Sequence, residues 1–353
     1  MVADHLMSAL FRHILKRPAA LLLAASFLFL TVLPGCSKPP QIVGHQGLTM
    51  GTSFTVKWVS SDSETDKKLP AQIDQILIAV NNAMSTYQAD SELTRINQLP
   101  AGSEVKLSSD LAKVLSRALE ISQSSAGAFD VTVGPLVNLW GFGPEGRIIK
   151  APSDDEITAL SERIGYKKIQ LSKTGTELYK SGDIYIDLSA IAKGFGVDKL
   201  AQLLEDVGIS SYLVEIGGEL RAKGIKPDGN NWKIAIEAPL VGERKIQRII
   251  AVKNVAIATS GDYRNYFEED GVRFSHTINP ATAKPIDHKL ASVTVLAADC
   301  ASADALATAM MVLGPQVAEQ YALQEGVEAL LIVKTEAGFK EIMTPGFSDF
   351  LVQ

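Results

Sequence analysis

Asp304-Ala305-Leu306-Ala307-Thr308 puts a carboxylate and a hydroxyl four residues apart. On a helix that spacing brings both oxygens to one face, one turn apart. Two hard oxygen donors so placed suit Mg²⁺, which takes few protein ligands and completes its octahedron with water and phosphate. Each residue also has a local use, since Asp near a helix start caps it and Thr bonds its own backbone. A second stretch, Asp187-Leu188-Ser189-Ala190-Ile191-Ala192-Lys193-Gly194-Phe195-Gly196, reads as a strand ending in an acid, then a helix opening on small residues and a lysine. A helix N-terminus attracts anions through its free N–H groups and its dipole. Gly194 and Gly196 cost helix stability, so a ligand or a neighbouring backbone is expected to come close there. The plainer reading is an ordinary strand–helix junction with a solvated Lys193. Gly127-Ala128-Phe129-Asp130-Val131-Thr132-Val133-Gly134-Pro135 pairs apolar and aromatic surface with an acid after a helix end. Ser260–Arg264 and Ser275–Pro280, the latter with His276, are polar turns after strands, where functional groups commonly sit.

These residues need elements to hold them. Thr52–Val59 alternates like a strand, Ser60–Lys68 reads as a loop, and Leu69–Tyr87 carries apolar residues at helical spacing. A helix is expected over Asp110–Ser124, and Ser153 with Glu156 forms a capping box that opens another, closed by Gly165. Strands follow at Ile169–Leu171, Glu177–Lys180 and Ile184–Asp187, then a helix over Ala190–Val207. Further strands fall at Tyr212–Ile216, Trp232–Glu237, Ile246–Val252, Val255–Thr259 and Val293–Ala297. Helices at Ser302–Leu313 and Pro315–Gln324 precede a last strand, Ala329–Val333. Closely spaced strands with turns between them indicate an α+β fold with largely antiparallel or mixed sheets, not regular βαβ winding.

Composition narrows the function. The chain has 353 residues, 46% hydrophobic and 21% charged, with a net charge of −6. Scattered basic residues in an acidic chain argue against nucleic acid as a partner. Gly141-Phe142-Gly143-Pro144-Glu145-Gly146 satisfies a dinucleotide-binding glycine pattern, but Pro144 and the non-helical run after it remove the helix that pattern requires. The five histidines lack zinc spacing, and no serine sits in a nucleophile elbow.

The N-terminus reads as an export signal. Arg12, His13, Lys16 and Arg17 precede an uncharged tract that ends Leu33-Pro34-Gly35-Cys36, similar to a bacterial lipobox. The expected division is a removable signal over 1–35, a lipid-bearing Cys36 opening a tether over 36–46, and a body over 47–353. An uncleaved single-span anchor is the alternative, and translation starting at Met7 is a further expectation. Either anchor leaves the body facing outward, toward the periplasm of a Gram-negative cell. With Cys36 lipidated, Cys300 has no partner and reads as a buried small residue.

Taken in order, Met50-Gly51-Thr52, Met84–Tyr87, Gly127–Pro135, Trp140–Gly143, Asp187–Gly194, Val214–Gly218, Thr259–Tyr266, Ser275–Pro280 and Ala303–Thr308 resemble the ApbE family of FAD:protein FMN transferases. The resemblance implies FAD bound in a groove between lobes and its FMN half moved to a threonine hydroxyl of an acceptor protein, with release of AMP. It implies that Met50, Tyr87, Ala128, Phe129, Asp130, Asp187, Lys193 and Ile278 line the flavin site. The Ala190 carbonyl, Asp304 and Thr308 would bind Mg²⁺; some relatives carry Asp where this chain has Ala307. His276 is the candidate base, and Arg264 a candidate for the pyrophosphate. The acceptors would be flavin-bearing subunits of membrane or exported redox proteins. Hydrolysis of FAD to FMN and AMP, or flavin storage without chemistry, are the alternatives.

Overall fold

The computed structural model describes residues 39–60, 62–143, 150–240, 242–263 and 265–352. The expected export signal, Cys36, the end of the glycine pattern and Arg264 lie outside the described residues. No helix among the described residues is long and apolar enough to cross a membrane.

An eight-stranded sheet organises the body. Its order is Gln41–Thr49, Thr52–Ser60, Tyr212–Ile216, Glu219–Lys223, Val255–Gly261, Leu290–Ala297, Glu328–Thr335 and Gly338–Met343. Every neighbouring pair is antiparallel. The strands cross the sheet in chain order, so each segment that could do chemistry is an excursion between neighbours.

Period-two alternation sends side chains to two covered faces. Phe54, Val56, Trp58, Val214 and Ile216 meet Leu69, Ile73, Leu77, Leu200 and Leu204 of two helices, Ser63–Met84 and Ala192–Asp206. Ile257, Leu296, Leu330 and Ile332 face the other way, against Trp232, Ile250 and Phe347. An aromatic satellite stands apart, built from Leu136, Trp140, Ile157, Ile278 and Ala283 with Phe142, Phe267 and Phe274 around them. Trp140 stacks on Phe274 at 5.4 Å, and Phe274 stacks on Phe267 at 5.0 Å.

The helix Cys300–Leu313 runs through the core, with twelve of its residues buried. An all-round small and apolar surface suits a helix enclosed on every side. It packs on the Val255–Gly261 and Leu290–Ala297 strands and on the Ala192–Asp206 helix. Gly194 is where the two helices touch. A Cβ there would lie 2.2 Å from the Cys300 carbonyl oxygen and 2.8 Å from Ala301 Cα. The glycine therefore serves a neighbouring backbone, which decides between the two explanations its sequence allowed. One turn on, Asp198 accepts the backbone N–H groups of Cys300 at 2.9 Å and Ala301 at 2.9 Å, while Asp299 accepts that of Ser302 at 2.8 Å. Two helices thus share the capping of one N-terminus. Cys300 itself is free and buried, as expected of a small core residue.

Four expectations change. Ala329–Val333 is not the last strand, because Gly338–Met343 follows and pairs with it at the sheet edge. Gln41–Thr49 is a strand rather than the second half of a tether, because Val43, His45 and Gly47 turn toward the body while their neighbours face out. The compact unit accordingly begins at Pro40. The polar run after Ser60 is largely helix, since Asp62 caps the N–H groups of Glu64 and Thr65 and starts it at Ser63. Ile184–Asp187 is extended but joins no sheet. Asn97 takes a strand's place there, accepting from Ile186 N and donating to Ile186 O, both at 2.8 Å.

Gly194→Ala is expected to destabilise the protein by about 1–3 kcal/mol or more, because the methyl must displace a backbone rather than a side-chain tip. Thermal unfolding measures it, and an unchanged melting temperature would show that the two helices part easily.

Candidate active site

One cleft of about 790 Å³ gathers most of the residues expected to act. Tyr87, Ala128, Phe129, Asp130, Asp187, Ala190, Lys193, His276, Ile278, Asp304 and Thr308 all line it. Met50 does not. It occupies the two-residue hairpin turn with Gly51, at φ 47° and 70°, and its side chain packs toward Gly196. Such a turn demands positive φ at both positions, which normally selects Asn-Gly. Ala307 is also outside the cleft, buried in the core.

The polar wall is the product of the helix contact. Gly194 N–H donates to Asp304 Oδ2 at 3.1 Å, tying the first turn of one helix to the carboxylate of the other. Lys193 Nζ lies 2.6 Å from Glu219 Oε1 and 3.9 Å from Asp304 Oδ1. Burial opposes the charge of Lys193, but Asp304 and Glu219 together outweigh it and raise its pKa. Burial pushes both carboxyl groups up, and the one ammonium they share only partly offsets this. Glu219 Oε2 is buried with no partner among the described residues.

That arrangement fits a divalent cation. Ala190, Asp304 and Thr308 line one cleft, where a backbone carbonyl, a carboxylate and a hydroxyl are hard oxygen donors, and Lys193 has two acids beside it. Among the described residues no three His, Cys, Asp or Glu gather as a closed cage. Mg²⁺, which keeps waters and binds through few protein oxygens, is the ion such a set suits.

The other wall is apolar and aromatic. Phe129 and Ile278 are buried there, and the Tyr87 ring is exposed at the mouth. Asp130 holds this wall together. Its Oδ1 accepts from Thr132 N at 2.8 Å and Thr132 Oγ1 at 2.6 Å, and its Oδ2 accepts from Tyr166 N at 2.9 Å. Asp187 likewise accepts from Ser189 N through Oδ1 at 2.8 Å. Both acids thus shape loops as well as face the cleft.

His276 stands at the edge of the aromatic satellite, with Phe142 edge-on at 6.3 Å. Its Nδ1 is 2.9 Å from the Asn265 carbonyl oxygen, which can only accept. Nδ1 therefore carries the proton, and Nε2 keeps a lone pair. Burial lowers the histidine pKa, and the Asn265 carbonyl offsets this in part. The neutral ring is thus the favoured form, with its basic nitrogen unspent.

The ApbE family profile matches residues 50–331. The chain belongs to the ApbE family. It is 47% identical to a Vibrio cholerae protein named FAD:protein FMN transferase, across 91% of this chain and 96% of that one. An Escherichia coli K12 protein of the same name is 38% identical across 94% and 96%. Among solved structures, the flavin transferase ApbE from Vibrio cholerae superposes with a TM-score of 0.81 at 44% identity, covering 89% of this chain and all of that one. The ApbE protein of Thermotoga maritima gives 0.78 at 29%, again covering 89% and all of the respective chains. The α+β architecture with antiparallel sheets is the ApbE fold.

Two residues of this ApbE site escaped the sequence. Glu219 directly follows the Val214–Gly218 segment and opens the strand Glu219–Lys223, where Arg221 and Lys223 make one more charged residue unremarkable. Asp198, which braces the site from outside the cleft, carried no signal, because the backbone N–H groups it accepts lie a hundred residues away.

Asp130→Asn must turn an amide NH₂ toward either the Thr132 donors, which are buried, or the part-buried Tyr166 N–H, at a cost of roughly 1–3 kcal/mol for a donor left unsatisfied. The variant is expected to melt below the parent. Equal melting temperatures would make the carboxylate a ligand contact and not a brace.

Proposed function

We propose that this protein transfers FMN from FAD to a threonine hydroxyl of an acceptor protein in a Mg²⁺-dependent reaction that releases AMP. The observation that carries the reading is a single cleft with two unlike walls, in a chain of the ApbE family. One wall is aromatic and suits a planar ring system. The other presents Lys193, Asp304 and Thr308 and suits a pyrophosphate with its counter-ion.

Ala190, Asp304 and Thr308 would hold Mg²⁺, which when bound neutralises charge developing on the pyrophosphate oxygens. The rest falls to the chain's own side chains. Phe129, Ile278 and Tyr87 bind the flavin rings by apolar contact. Lys193 presents a fixed positive charge toward the phosphates. His276 Nε2 takes the proton from the acceptor threonine as its oxygen bonds to the FMN phosphorus. The phosphorus–oxygen bond to AMP breaks in the same displacement, and AMP leaves with the bridging oxygen. Positioning and charge neutralisation supply most of the acceleration in such transfers, and a general base adds typically ~10²–10⁴-fold.

The location is part of the same proposal. The basic flank, the apolar tract and the lipobox-like Leu33–Cys36 support a lipid on Cys36 that holds the enzyme at a membrane, facing the periplasm. Flavin-accepting subunits of membrane or exported redox proteins would meet it there.

Incubation of the protein with FAD, Mg²⁺ and a candidate acceptor domain tests the reading. A mass gain of one FMN on the acceptor is expected; free FMN and AMP alone would indicate hydrolysis, and intact bound FAD would indicate storage. Asp304→Ala is expected to abolish metal-dependent turnover, and full activity in that variant would sink the metal assignment. His276→Ala is expected to slow transfer about 10²–10⁴-fold with FAD affinity retained. A base must be neutral to act, and a lowered pKa keeps His276 neutral further into acid. The acid limb of the rate profile should therefore fall below the ordinary histidine range of about 6.5. A limb at or above that value, or one unchanged in His276→Ala, would rule the histidine out as base.

A further inference from the structure

Glu219 has no part in the transfer chemistry described so far, yet it sits at the centre of the polar wall. It is 3% exposed, and the turn before it, Gly217-Gly218, has φ values of 62° and 108° that fix its entry into the strand. Gly217 also clears the way for its partner, since a Cβ there would meet Thr52 Cγ2 at 2.8 Å and the Lys193 stem at 3.4 Å.

Lys193 has two acids to choose from and is held by one. Its ammonium is in hydrogen-bond contact with Glu219 at 2.6 Å, while Asp304 at 3.9 Å is beyond that reach. The lysine side chain is a flexible stem bearing a point charge, so the carboxylate in hydrogen-bond contact decides where it rests. Asp304 is left with one oxygen on the Gly194 N–H and no ammonium bound directly to the other. A lysine in direct contact with Asp304 would occupy the position a cation needs.

We propose that Glu219 is a positioning residue, drawing the Lys193 ammonium off Asp304 and so keeping that carboxylate open to a divalent cation. The proposal rests on the reading of Asp304 as a metal ligand.

Mn²⁺ binding, followed by the electron paramagnetic resonance of the free ion, tests it on the protein with FAD present and acceptor withheld. Four proteins form a cycle: the parent, Glu219→Gln, Lys193→Met and the double variant. Glu219→Gln is expected to weaken Mn²⁺ binding about tenfold in the parent, within the coupling found between contacting residues. In the Lys193→Met background the same change should cost no more than about twofold, because the competing ammonium is gone. Equal losses in both backgrounds would mean that a distant charge was simply removed, and would overturn the proposal. So would unchanged binding in Glu219→Gln. Glu219→Asp keeps the charge one methylene back and should fall between parent and Glu219→Gln; its melting curve guards against a folding defect in the amide variant. If the parent itself shows no Asp304-dependent Mn²⁺ binding, the cation reading fails, and this proposal with it.

Discussion

The body of this protein depends on one close approach, the Gly194 turn against the Cys300–Ala301 backbone. No residue with a Cβ fits there, and Asp198 clamps the same junction by accepting the two N–H groups that begin the buried helix. Arg221 in turn holds Asp198 at 2.8 Å from a neighbouring sheet strand. Helix, helix and sheet are thus locked through one carboxylate. Lys193 precedes Gly194, and Asp304 lies one turn beyond Cys300. The contact that fixes the fold therefore fixes the distance between the two charges of the polar wall.

That economy explains why the site can hold charge inside a protein core. Isolated buried charges are costly, and buried pairs break even only when geometry and additional hydrogen bonds are good. Here Lys193 is shared by two acids, and Gly194 contributes a backbone donor to one of them. Burial still favours the neutral form of both acids, so holding them beside one ammonium costs stability. Such local frustration is expected at functional sites rather than in a structural core.

Much of this was legible in the residues, and the rest was hidden for identifiable reasons. The Tyr212–Ile216, Trp232–Glu237 and Ile246–Val252 strands follow from short strand-forming runs separated by turns, and the Ser153–Glu156 capping box from local chemistry. Asp304 and Thr308 were visible because a helix repeats every turn. Gln41–Thr49 was missed because an edge strand buries only alternate, partly polar side chains, among them His45, which pairs with Asp74 at 2.9 Å. Ile184–Asp187 was misread because its partner is the amide of Asn97, and nothing local distinguishes that from a strand. Glu219 and Asp198 act across long sequence separations, where spacing carries no information.

The topology also accounts for the cleft having two unlike walls. Strands that follow one another across the sheet in chain order leave every long connection free to carry specialised surface. The connection between Ser60 and Tyr212 supplies both Phe129 and Lys193, and the one between Gly261 and Leu290 supplies His276 and Ile278. The connection after Ala297 supplies Asp304 and Thr308. Ile278 comes from the satellite and Phe129 from the main core, while Lys193 and Asp304 come from two helices locked to the sheet. A ligand with a planar apolar end and an anionic end meets both at once only if it lies along the cleft. His276, whose Nδ1 lies against the Asn265 carbonyl, belongs to the satellite side of the cleft. Its protonation is set first by burial and by the Asn265 carbonyl, with smaller contributions from Asp262 and from Lys193 across the cleft.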